Sequence, residues 1–408
     1  MVEITADLQI HSKYARATSK NISIENLEKY ARIKGLQLLG VGDFQHPLRR
    51  KEIDEKLTED EYGILRTASG FPFLWQTEIS LMYSQDGKRR AVHHLVFSPN
   101  REIADQITEF LGSKGRLDYD GRPIFGMSSP ELVEAMKKIS DKIEIIPAHC
   151  MTPWFGLFGS KSGFNSLKEC FQEQTRKIYA IESGMSADPS MLWRFKEVSE
   201  GVNVVSFSDA HSFWPWRLGR ESTIFDIPEF SYENIIKAIR TGNGIKATIE
   251  TPPEYGKYHW DGHRACGFSC SHEETKKLKN VCPVCKKPLT IGVDNRVEEI
   301  AAFPQGHKPK NAKPFHKLLP LHEVIALAID SNLEGKKTWE IYNELIKNFG
   351  NELQILLHSS KEILLGKSFD EKLIDLILRN REAKIKVAPG YDGEYGKALL
   401  GEAQSRLF

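Results

Sequence analysis

The chain has 408 residues, enough for two or three domains, and its 56 basic and 55 acidic residues leave a net charge of +1, so bulk charge gives no argument for nucleic acid, although a basic face can hide in a balanced total. No apolar run approaches the roughly eighteen residues of a membrane-spanning helix. The opening "MVEITADLQIHS" lacks the basic start and apolar stretch of an export signal, so a cytoplasmic protein without a membrane partner is expected.

From residue 1 to about 245, short apolar runs alternate with amphipathic stretches. In chain order the runs are "VEITADLQIH", "LQLLGVGDF", "FPFLWQTEIS", "AVHHLVFSP", "IEIIPAH", "KIYAIES" and "VNVVSFSDAH". Between them, "SIENLEKYARIKG" and "SSPELVEAMKKIS" begin on serine and carry apolar residues at helical spacing. Strand–helix alternation predicts an α/β fold with a parallel sheet, and seven strands suggest a barrel.

The runs end alike. The first closes on His11, the second offers Asp43 and His46, the third Glu78, the fourth His93 and His94, the fifth His149, the sixth Glu182 and the seventh Asp209 and His211. In parallel α/β barrels the C-terminal strand ends converge on one rim. One buried histidine beside an apolar run is ordinarily a hydrogen-bonded core residue, and an aspartate there can cap a helix. Seven ends in succession point instead to metal. The donors exceed the three protein ligands of one catalytic zinc, so two or three divalent ions (zinc, magnesium or manganese) sharing carboxylates are expected. His93 and His94 cannot both face inward, because strand side chains alternate; His94 is the preferred ligand.

The order "DLQIHS", "GDFQHP", "TEIS", "HHL", "PAH", "SDAH" resembles the PHP (polymerase and histidinol phosphatase) family of metal-dependent phosphoesterases over residues 1 to about 240. The resemblance implies a distorted (β/α)7 barrel with up to three metals. Two departures stand out: Gln9 replaces the first histidine of the usual His-x-His, and two residues separate Asp43 from His46. Catalysis would be hydrolysis of a phosphodiester by water that the metals activate, with Glu78 bridging and Asp209 and His211 completing the catalytic set.

Residues 246–318 change character. Between 245 and 317 there are 13 Lys or Arg and 8 Asp or Glu, a net of 13 − 8 = +5. Cys266, Cys270, Cys282 and Cys285 form two thiol pairs, Cys-x3-Cys and Cys-x2-Cys, that suit one closed, structural zinc site; His259 and His263 are substitutes if one thiol is displaced. Lys276, Lys277, Lys279, Lys286 and Lys287 around the module are candidate phosphate contacts, though lysine runs are ordinarily only solvated faces. Arg217 and Arg220, just after the seventh run, would hold a phosphate or pair with Glu221 or Asp226.

Residues 319–408 read as a helical domain, interrupted by "VAPGYDGEYGKALL". There Tyr391 and Tyr395 would stack on a base or simply pack in a turn. The terminal "QSRLF" resembles the opening of a sliding-clamp motif, which suggests that clamp as a partner. The barrel, the cysteine module, "PFHKLLPLHEVIA" and "PGYDGEYG" together resemble the endonuclease Q family of DNA-repair enzymes. That resemblance implies nicking on the 5′ side of hypoxanthine, xanthine and uracil, and at abasic sites. The alternatives are a small-molecule phosphatase of the same barrel type and a non-catalytic DNA-binding scaffold.

Overall fold

The computed structural model describes residues 1–367 and 369–400. The expected helices form where their serines place them. Ser23 accepts from the Asn26 N–H to open the helix Ile24–Lys34, which stops at Gly35 in the left-handed conformation. Ser128 and Glu131 form a reciprocal capping box at the start of Ser129–Ile139.

The apolar runs form strands, but the expected parallel sheet is replaced by mixed ones. Val2–Asp7 lies parallel to Leu38–Gly40 and antiparallel to Ser222–Ile227. Leu38–Gly40 in turn lies parallel to Pro72–Leu74. Gln76–Gln85 and Lys88–Phe97 form a long antiparallel hairpin, flanked by Ile124–Phe125 and Glu144–Pro147. Ala180–Glu182 and Asn203–Val205 make a parallel pair. The hairpin has a local cause. Asp86 and Gly87 both take positive φ, 52° and 70°, the geometry of a two-residue turn that reverses a strand at once.

A bridge between Ile10 and Ala210 brings the end of the first strand against the end of the seventh run. From the strands, Ile4, Ala6, Leu38, Leu74, Ile146, Ala180 and Val205 pack into one buried apolar cluster.

Ile245–Glu250, at the expected start of the cysteine module, extends the main sheet beside Ser222–Ile227, and Phe315–Lys317 returns to pair with it. The module therefore leaves the sheet and rejoins it within one ladder. Buried Arg296 fastens the module to the sheet domain, donating to the carbonyls of Phe158 and Phe164. The helices Leu321–Ile329, Lys336–Phe349 and Glu371–Arg381 follow, then the small hairpin Lys386–Ala388 with Lys397–Leu399. No described helix is long and apolar enough to cross a membrane.

Candidate metal centre and nucleic-acid interface

His11, Asp209 and His211 form one group of donors and Glu78, His93 and His149 a second; Glu78 and His93 lie within Gln76–Gln85 and Lys88–Phe97 rather than at the expected strand ends. Glu78 links them. It is buried, with His93 Nδ1 at 2.7 Å from Oε1, His149 Nε2 at 3.4 Å from Oε1, and His11 Nε2 at 3.3 Å from Oε2. His11 also lies 3.2 Å from Asp209 Oδ1. Burial alone would raise the Glu78 pKa, but the charge of Arg122 and the surrounding imidazoles hold it well below the carboxylate range. Asp209 is likewise lowered against its burial, by His211 and His11. Imidazole and carboxylate donors in groups of three, with both carboxylates held ionised, fit divalent cations.

The backbone helps to aim these groups. Asp43, His149 and Asp209 all take positive φ, 54°, 31° and 49°, a region uncommon for non-glycine residues.

The remaining candidates stand around the two groups. Asp43 Oδ1 holds His11 Nδ1 at 3.1 Å, while Oδ2 accepts from Ser12, so Asp43 orients a donor. His46 stacks on Tyr14, and its buried Nδ1 has no partner within the protein. Glu182 accepts backbone N–H groups of His149, Gly184 and Phe207, and burial pushes its pKa up to about 7. The preference for His94 is reversed: His93 joins Glu78, while His94 turns to Ser129 Oγ at 2.9 Å and packs on Phe171. Gln9 offers no ring nitrogen. It donates Nε2 to Glu78 Oε2 at 2.7 Å, and its buried Oε1 is unpartnered.

In the module the gathered donors are His263, Cys266, Cys282 and Cys285, not four cysteines. The antiparallel pairing of Asp261–His263 with Phe268–Cys270 brings His263 Nδ1 within 3.5 Å of Cys285 Sγ. Cys270 is engaged by Thr275 Oγ1 at 3.1 Å. Burial opposes ionisation of Cys282, but the N–H groups of Cys285 and Val284 draw its pKa down. Three thiols and an imidazole still make a closed tetrahedral set suited to zinc.

Lys276, Lys277, Lys279, Lys286 and Lys287 are all exposed around this module. Arg220 is inside the rim. It donates Nε and Nη2 to the Ser208 carbonyl and leaves Nη1 buried without a partner. Arg217 lies over the exposed Tyr395 ring at 5.8 Å, and Lys257 lies 4.6 Å from the same ring. Tyr391 packs differently: a Cβ on Gly262 would come 2.4 Å from its ring, so it covers the module backbone. Both tyrosines line a cleft of about 1220 Å³ between module and C-terminal helices, with Trp260, Phe268, Lys317 and Arg381. Gln404 to Phe408, the clamp-like ending, lies outside the described residues. Arg122 is the site residue that sequence reading missed; "DYDGRPIF" ends on no donor pattern, and only the fold carries it to Glu78.

Comparison with known proteins gives this geometry its context. The crystal structure of the lesion-specific endonuclease PfuEndoQ from Pyrococcus furiosus superposes with a TM-score of 0.87 at 30% identity, over 100% of this chain and 98% of that one. The chain belongs to the endonuclease Q family. A second endonuclease Q structure, in complex with a 27-mer duplex carrying an abasic lesion at the active site, matches with a TM-score of 0.88 at 30% identity, over 98% of this chain and 97% of that one. The MJ0043 C-terminal domain family matches residues 320–384. The uncharacterised protein MJ0043 of Methanocaldococcus jannaschii is 35% identical over 254 residues, which is 61% of this chain; that match spans only 31% of the curated relative's length.

Proposed function

We propose that this endonuclease Q family chain is a DNA-repair endonuclease that hydrolyses the phosphodiester 5′ of deaminated bases and at abasic sites, leaving a 3′-hydroxyl and a 5′-phosphate. The observation that carries this reading is the pair of donor groups that meet through Glu78 and His11. We read the surrounding strands as the distorted barrel of the PHP type.

Divalent ions held by the two groups would supply the Lewis acidity that makes water nucleophilic near neutral pH and offsets charge on the departing oxygen. The chain's own residues do the rest. Glu78 spans both groups, and Asp43 fixes the ring of His11. Arg220, with Nη1 unspent, is positioned to hold a phosphate at the rim. The basic module supplies affinity without sequence preference. Tyr395, exposed and flanked by Arg217 and Lys257, is the better placed of the two tyrosines to stack on an unpaired base. Deaminated bases pair poorly, so extruding them costs less than extruding normal ones. A structural zinc at His263, Cys266, Cys282 and Cys285 would close the module.

The test is to incubate the protein with duplexes that each carry hypoxanthine, xanthine, uracil or an abasic site, beside an undamaged duplex, and to map the cuts. Cleavage confined to the bond 5′ of the modified position, lost in Glu78→Gln with DNA affinity retained, is expected. Equal cutting of undamaged duplex, or Glu78→Gln cutting within about tenfold of the parent, would overturn the proposal.

A further inference from the structure

Arg122 follows the helix Arg101–Lys114, in a loop that contributes none of the grouped metal donors. That loop is fastened to the rim. Asp120 Oδ1 accepts the backbone N–H groups of Arg16 and Arg122, each at 3.1 Å. Gly121 donates to the Tyr14 carbonyl at 3.1 Å and accepts from Gln45 Nε2 at 2.6 Å. A Cβ at Gly121 would come within 2.2 Å of Asp43 Oδ2, so the backbone runs flush against the residue that orients His11. Pro123 accepts from the Ser80 N–H, which ties the loop to the strand that bears Glu78. Arg122 is thus presented on fixed backbone.

Its guanidinium reaches Glu78 Oε1 through Nη1 at 3.2 Å, and its charge also acts on Asp209, His93 and His211, so it is felt by both donor groups. The side chain keeps 24% of its surface exposed, and Nη1 is the donor it commits to Glu78. A guanidinium presents five N–H donors in a planar fork that matches phosphate oxygens. Gln9, meanwhile, contributes an amide to Glu78 where a ligating histidine would help hold a further cation.

We propose that Arg122 is a catalytic residue that binds a non-bridging oxygen of the scissile phosphate, using donors Glu78 leaves free, and supplies from the protein positive charge that a third ion would otherwise bring. The proposal rests on the phosphodiester reading above. Fixed donors aimed at charge that grows in the transition state are worth about 10²–10³ in rate each. A merely structural Arg122 would instead hold Glu78 for the metals.

The experiment compares Arg122→Ala and Arg122→Lys with the full-length parent. It reads single-turnover nicking of an abasic duplex, metal content by plasma mass spectrometry, and inhibition by inorganic phosphate. Arg122→Ala is expected to slow nicking about 10²–10³-fold, with metal content unchanged and phosphate inhibition about tenfold weaker. Arg122→Lys, keeping charge without the fork, should recover no more than about a tenth of the parent rate. Loss of a metal ion in Arg122→Ala would reduce the residue to a positioning role and overturn the assignment, as would a rate within about threefold of the parent. A parent that holds its metals yet nicks none of the modified duplexes would remove the phosphodiester reading itself, and the assignment with it.

Discussion

On Lys88–Phe97, His93 stands opposite Ser80 and His94 opposite Ile79. Residues directly opposite each other across a ladder share a face, and Ser80 shares its face with Glu78 two positions away. The register therefore turns His93 toward Glu78 and His94 toward Ser129 and Phe171. Alternation in the sequence established that one histidine faces in; which one depends on a pairing partner that the sequence does not print. Most other donors were legible, because His11, Glu78, His149, Asp209 and His211 all close apolar runs, and all five fall in the two groups. Asp43 and Glu182 closed runs as well, yet their oxygens are spent on His11, Ser12 and backbone N–H groups. His93→Ala is expected to release bound metal and abolish nicking. His94→Ala should keep its metal content and lose about 1–3 kcal/mol of stability, from the cavity and the lost Ser129 bond. Metal analysis beside urea unfolding checks both; metal loss confined to the His94 variant would reverse the assignment.

At the scale of elements, local chemistry was readable where it is written in consecutive residues. Ser23 and Ser128 announce their helices, and both cap as expected. Asp86-Gly87 announces a hairpin in the same way, but alternating strands and helices favoured a parallel sheet and hid it. The module shows the opposite case. Spacing singled out four cysteines, whereas the pairing of His263 with Phe268 brings in an imidazole from the neighbouring strand and leaves Cys270 to Thr275. Cys282→Ser with Cys285→Ser should remove one zinc per chain, lower the melting temperature and weaken DNA binding, because metal binding is folding free energy in so small a module. Cys270→Ser should retain that zinc. A Cys270 variant that loses zinc as completely as the double variant would restore the four-cysteine set.

The whole molecule is joined where the sheet domain meets the C-terminal helices, and this junction lay beyond sequence reading, since its partners are some three hundred residues apart. Lys34, on the first helix, donates to Glu352 at 2.7 Å, and both side chains are buried. Glu352 also accepts from the Leu321 N–H and the Tyr342 hydroxyl. Beside them His322 is fully buried among Trp216, Trp339 and Tyr342, and neither ring nitrogen has a partner within the protein. Burial, with the Lys34 charge added, pushes its pKa down to about 3 from 6.5. Between those values the unfolded chain takes a proton that the folded one refuses. The neutral ring's contribution is therefore intact above pH 6.5 and declines as the pH falls, by about 2 kcal/mol at pH 5. His322→Phe should flatten this decline in unfolding measured between pH 7 and 5; parallel curves for variant and parent would refute it.

The ion pair at the same junction gives the sharper test. A buried pair contributes little net stability when intact, since desolvation offsets attraction, but removing one partner strands the other charge at a cost of about 3–5 kcal/mol. Lys34→Met should therefore destabilise the protein by that amount. Adding Glu352→Gln should recover part of it, because the stranded charge is gone while the amide oxygen still accepts from the Leu321 N–H and the amide NH2 can donate to the Tyr342 hydroxyl. Trp214 and Trp216 stack, and Trp339 meets both edge-on, beside the pair, so their fluorescence reports the junction during urea unfolding. If the single variant unfolds within about 1 kcal/mol of the parent, the pair is not what docks the C-terminal helices on the sheet domain. A loss of the expected size, with metal content and intrinsic nicking per folded molecule preserved, would place the Lys34–Glu352 contact on the side of architecture. The chemistry would then rest with the two donor groups and the arginines beside them.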